Sequence, residues 1–118
     1  MTAEGLCGAK LAPDLPRIIE EAEKGNSLAM FRLGQLYSSG TWGVEKNTKK
    51  AVTWYERAAT AGVWDAQAKL GFMYEYGRGV DSNLARAIYW YQEAVENGIY
   101  PDLEEKVTRL RAELEANQ

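Results

Sequence analysis

The chain is predicted to be an all-α solenoid of two stacked helix-turn-helix units between helical ends. Three observations lead there. Two consecutive stretches of about 36 residues repeat one another. Within each stretch the apolar residues recur at helical spacing. Between the two helices of each unit a glycine-bounded turn falls at the same place.

The repeat comes first, because it sets the register for everything else. Ala29, Leu33, Gly34, Tyr37 and Gly40 recur 37 positions later as Ala66, Leu70, Gly71, Tyr74 and Gly77. After the turn the offset becomes 36. Gly43, Val44, Asn47, Ala51, Trp54, Tyr55, Ala58 and Gly62 then pair with Gly79, Val80, Asn83, Ala87, Trp90, Tyr91, Ala94 and Gly98. The lost residue lies in the turn, where Thr41-Trp42 of the first unit faces Arg78 alone in the second. A length change belongs in a loop, so the mismatch supports the alignment.

In the first helix of the first unit, Ala29, Leu33, Leu36 and Tyr37 share a face. Gly34 beside Leu33 costs about 1 kcal/mol of helix propensity against alanine. Its recurrence at Gly71 implies that another helix approaches closely there. Gly40–Val44 and Gly77–Val80 end the first helices and turn the chain. Asn47 and Asn83 stand where N-caps belong. Ala51, Tyr55, Ala58 and Ala59 form the buried stripe of the second helix, repeated by Ala87, Tyr91, Ala94 and Val95. Gly62 and Gly98 stop these helices. One such pair cannot bury its own faces; stacking does so.

The flanks are expected to cap the stack. Ile18, Ala22 and Gly25 fall 37 residues before Tyr55, Ala59 and Gly62, so 14–28 is read as a partial N-terminal repeat helix, with Pro16 in its first turn. Residues 29–65 and 66–100 are the two repeats. Residues 101–118 form a C-terminal capping helix with the stripe Leu103, Val107, Leu110 and Leu114, Asp102 as N-cap and Glu105 completing a capping box. Residues 1–13 carry no period and are expected to be a disordered tail.

Composition narrows the function classes. The net charge of -3 and pI near 5.0 disfavour nucleic acid as the main partner. No apolar run reaches the roughly 18 residues of a membrane span, so no membrane insertion is expected. The single cysteine, Cys7, excludes an internal disulfide and reads as an idle thiol. With no signal-peptide pattern at Met1–Lys10, the expected location is the cytoplasm. The chain has no histidine, which removes His-based acid–base chemistry, Ser-His triads and His metal sites. The carboxylates read as solvated helix faces and caps, so no catalytic residue, metal or cofactor is expected. Arg78 between Gly77 and Gly79 reads as turn geometry in preference to an anion site.

The run Ala66-x3-Leu70-Gly71-x2-Tyr74-x2-Gly77-Arg78-Gly79-Val80, then Asn83-x3-Ala87-x2-Trp90-Tyr91-x2-Ala94-Val95-x2-Gly98, resembles the Sel1-like repeat family, a relative of the tetratricopeptide repeats. The first copy matches apart from its extra turn residue. Val95 departs from the family's second alanine. Residues 103–118 lack its LG-x2-Y signature. The resemblance implies a right-handed α/α superhelix acting as a non-enzymatic adaptor or scaffold that binds a protein or peptide on its concave face. The alternative it also implies is an inhibitor, such as an immunity protein that occludes a toxin.

If the fold comes from what the copies share, partner choice should come from what they do not. Phe31 stands against Ala68, Gln35 against Phe72, and Ser39 against Tyr76. The expected partner-binding residues are Phe31, Gln35, Trp42, Phe72, Glu75 and Tyr76. Two readings of Phe31 and Phe72 remain open: an exposed aromatic groove, or rings packed under the cap helices. Trp42, in the inserted turn, reads as an interface residue or a ring folded over a helix end. Trp64 reads as the latter, and Trp54 and Trp90 as structural. Short solenoids expose their end faces, so a monomer or weak end-to-end dimer is expected.

Overall fold

The computed structural model describes residues 15–98 and 101–117 of the 118-residue chain. Cys7 and the expected tail at 1–13 lie outside the described residues. Among those described, the chain forms six helices and no strand. They are α1 (Leu15–Glu23), α2 (Ser27–Ser39), α3 (Thr48–Thr60), α4 (Trp64–Tyr76), α5 (Leu84–Asn97) and α6 (Pro101–Ala116). Each packs chiefly against its neighbours in sequence. That is the contact pattern of a solenoid.

The repeat is visible atom by atom. Asn47 and Asn83 cap α3 and α5, their side chains accepting from the Lys50 and Arg86 amides at 3.0 and 3.1 Å. The amide of each asparagine in turn donates to the carbonyl of Tyr37 or Tyr74 at 2.8 Å, tying the turn to the preceding helix. Gly40 and Gly77 end α2 and α4 in the left-handed conformation, both at φ 69. Side chains strain there and glycine does not.

Gly34 and Gly71 serve the close approach their recurrence implies. A Cβ at Gly34 would lie 2.6 Å from the Tyr55 ring, and one at Gly71 would lie 2.5 Å from the Tyr91 ring. Each tyrosine of a second helix therefore packs directly against the glycine of its own first helix. Around these contacts the core runs continuously through Leu33, Tyr55, Leu70 and Tyr91. Ile18 and Ala22 extend it on α1, and Val107 and Leu110 on α6.

Three details differ from the sequence expectation. The first repeat helix begins at Ser27, two residues before Ala29, because Asn26 caps it by accepting from the Ala29 amide at 3.1 Å. Helix α6 begins at Pro101, so Asp102 is not the N-cap but lies inside the first turn. Proline suits that first position because it has no amide to satisfy, and the acidic group beside it complements the helix dipole. Finally, α6 starts 37 residues after α4, as α4 does after α2. The C-terminal cap thus occupies the place of a further first helix, with Val107 at the register of Leu70 and Leu33.

Candidate functional site

The sequence-predicted site residues fall into three separate places. Phe72, Glu75 and Tyr76 share the last two turns of α4, beside α6. Between α4 and α6 lies a groove of about 420 Å³, with Asp65, Ala68, Lys69 and Phe72 on one wall and Leu103 and Lys106 on the other. Phe72 is 43% exposed and Tyr76 55% exposed. Their rings tilt against each other with centroids 4.9 Å apart. Arg78 lies over Phe72 at 5.9 Å, and Lys106 over Tyr76 at 5.6 Å. Such aromatics gain affinity when a partner removes them from water.

Glu75 turns inward. Its Oε1 accepts the Tyr91 hydroxyl at 2.7 Å and meets Lys106 Nζ at 2.9 Å. The two charged side chains are largely buried. Lys106 also lies 5.1 Å over the Tyr91 ring. Burial pushes the Tyr91 phenol well up, and the Glu75 hydrogen bond and charge push it further. The phenol therefore stays a neutral donor. This clamp fastens α6 to the second repeat, and Glu75 serves the groove by fixing its walls. Leaving either charge buried without the other would be strongly destabilising.

Phe31 and Gln35 line a different groove, of about 450 Å³, with Ile18 of α1 and Leu28 and Arg32 of α2. Phe31 is half-buried and packs its ring 5.7 Å from Tyr55. The two phenylalanines therefore divide: Phe72 is exposed, whereas Phe31 is part of the packing. Trp42 joins neither groove. It is 49% exposed and holds φ 57, the only non-glycine residue with positive φ among those described. Trp64 opens α4 and is 43% exposed.

Sequence reasoning missed Lys106, Leu103 and Tyr91 as parts of this groove. A signal was available: positions 37 apart place Arg32, Lys69 and Lys106 in one register, a basic residue in each first helix. Among the described residues no cluster of three potential metal ligands occurs, and no helix is long and apolar enough to cross a membrane.

Comparison with known proteins agrees with the fold. The model of the Sel1 repeat family matches residues 27–63 and 64–99. A chitin synthase regulator of Saccharomyces cerevisiae, SKT5, is 43% identical over 61 residues, covering 51% of this chain and 9% of the regulator. The HRD3B component of an ERAD-associated E3 ubiquitin-protein ligase of Arabidopsis thaliana is 37% identical over 59 residues, again 9% of its length. Among solved structures, a Sel1 repeat protein from Oxalobacter formigenes superposes with a TM-score of 0.68 at 39% identity, covering 76% of this chain and 36% of that one. Helicobacter pylori cysteine rich protein B gives 0.67 at 26% identity, covering 73% of this chain and 63% of its own. The chain thus spans only a small part of the curated relatives.

Proposed function

We propose, from the premise that this chain belongs to the Sel1 repeat family, that it is a non-enzymatic module binding a partner protein or peptide along the groove between α4 and α6. The family's repeats are in general protein-interaction modules. The relatives matched here are named for regulating a synthase and for belonging to a ligase complex. The observation that carries the reading is the exposed pair Phe72 and Tyr76 beside an apolar groove whose walls are pinned by the Glu75–Lys106 clamp. A rigid groove with exposed aromatic anchors binds at small entropic cost. The fixed first helices α4 and α6 provide the two walls, and the partner would lie between them on the concave side.

The test is an affinity pull-down with mass spectrometry on the wild type, Phe72→Ala and Tyr76→Ala. Each substitution is expected to weaken partner binding by about 2 kcal/mol, or roughly thirtyfold. Phe72 is 43% and Tyr76 55% exposed, so each substitution should change stability by only about 1 kcal/mol. Undiminished recovery of partners by both variants would overturn the assignment. A single partner held in a stable one-to-one complex would favour the inhibitor reading over the adaptor.

A further inference from the structure

The two repeats differ in one place where the second is complete and the first is not. In the second, a carboxylate sits among a tyrosine hydroxyl, a lysine and two first helices: Glu75 accepts from Tyr91 and pairs with Lys106. The residues 36 or 37 positions earlier are Tyr55 for Tyr91, Lys69 for Lys106, and Ser38 for Glu75. The tyrosine and the lysine are retained and the carboxylate is replaced by a short hydroxyl.

Where that carboxylate would lie, the structure has a pocket of about 130 Å³, lined by Ser38, Lys46, Thr48, Tyr55, Lys69 and Arg78, with Phe72 at its edge. Three cations and three hydroxyls converge there, and no acidic side chain joins the lining. None of the ion pairs among the described residues involves Lys46, Lys69 or Arg78. All three are exposed and keep their hydration, and together they give the pocket a local positive potential that an anion would complement. Burial pushes the Tyr55 phenol up to about 12, with the Ser38 hydroxyl acting in the opposite direction, so this group remains a donor at neutral pH.

We propose that this pocket between the repeats binds a carboxylate of the partner, occupying the place that Glu75 fills in the second repeat. Lys69 and the Tyr55 hydroxyl supply the contacts that Lys106 and Tyr91 make to Glu75, and Lys46 and Arg78 add charge at the mouth. Phe72 borders both this pocket and the apolar groove. The recognised segment therefore carries an aspartate or glutamate next to an apolar residue that lies over Phe72. Only the source of the carboxylate rests on the protein-binding reading; the anion chemistry of the pocket stands apart from it.

Two arms test this. In the first, sodium acetate is titrated into ¹⁵N-labelled protein at constant ionic strength, with phosphate as the comparison anion. Saturable shifts are expected at Ser38, Thr48 and Lys69. They should be abolished in Ser38→Glu, which supplies the missing carboxylate from within, and weakened about tenfold in Lys69→Gln, the loss of one charge-assisted hydrogen bond. Ser38→Glu should melt no lower than wild type. Absence of saturable shifts, a response to phosphate alone, or acetate binding unchanged in both variants would overturn the pocket. In the second arm, a random-peptide phage library is selected on wild type. Enriched peptides should pair an acidic with an apolar residue and lose binding to Ser38→Glu but not to the remote Lys24→Gln. Enriched peptides without an acidic residue overturn the carboxylate as the partner's contribution. No enriched peptide, with acetate binding intact, overturns the protein-binding reading.

Discussion

Replacing Gly71 by alanine sets two effects of opposite sign against each other. Alanine gains about 1 kcal/mol of helix propensity over glycine. Its Cβ, however, would stand 2.5, 2.7 and 2.8 Å from Cδ1, Cε1 and Cγ of Tyr91. Carbon atoms in van der Waals contact prefer about 3.5–4.0 Å. The ring cannot swing clear, because Tyr91 is 2% exposed and its hydroxyl is tied to Glu75 at 2.7 Å. Relief must come from spreading α4 and α5, and overpacking of this kind costs about 1–3 kcal/mol. With the ring pinned the cost lies at the upper end, leaving a net loss of about 1–2 kcal/mol. An unfolding entropy of about 2.1 cal/mol/K per residue over 118 residues gives about 0.25 kcal/mol/K, so Tm falls by about 4–8 °C. Circular-dichroism melts of Gly71→Ala, Tyr91→Ala and the double variant measure this as a cycle. In the Tyr91→Ala background the clash is gone, and Gly71→Ala should stabilise by up to about 1 kcal/mol. A higher Tm for Gly71→Ala in the wild-type background, or the same loss in both backgrounds, would refute the close-approach argument.

Two other outcomes follow from single residues. Burial holds the folded-state Tyr55 phenol at about 12 against 10.0 for the free group. Above pH 10 the unfolded chain loses this proton first, so stability is retained below that pH and lost as pH rises toward 12. The loss attributable to this group reaches about 2–3 kcal/mol. Urea titrations from about pH 9 to about pH 12 should show a shallower decline for Tyr55→Phe; an unchanged slope would mean that the phenol does not control it. At Trp42, held at φ 57, alanine and glycine both remove the ring, but only alanine keeps the left-handed penalty. Trp42→Gly should therefore be about 1 kcal/mol more stable than Trp42→Ala by denaturant melting, and equal stabilities would show that the turn relaxes.

The repeat, its six helices, the Asn47 and Asn83 caps and the glycine contacts were legible from the order of residues. Each follows from simple rules: helical spacing selects the buried face, asparagine completes an N-terminus, and glycine within a helix, at 34 and 71, marks a place where a side chain would meet a ring. The exposure of the aromatics was not legible. Phe31 and Phe72 occupy different register positions, and only packing decides that one leans on Tyr55 while the other opens onto the groove. Glu75 reads on paper as one more surface acid. Its inward turn depends on Lys106, 31 residues away, and on Tyr91 meeting it across a helix interface. Spacing within a helix cannot report a pairing between helices, because that depends on how far α6 advances over α4. The first repeat retains the tyrosine and lysine of that pairing without its acid, and this contrast acquired meaning only when the tertiary structure placed Lys69 and Tyr55 around one pocket.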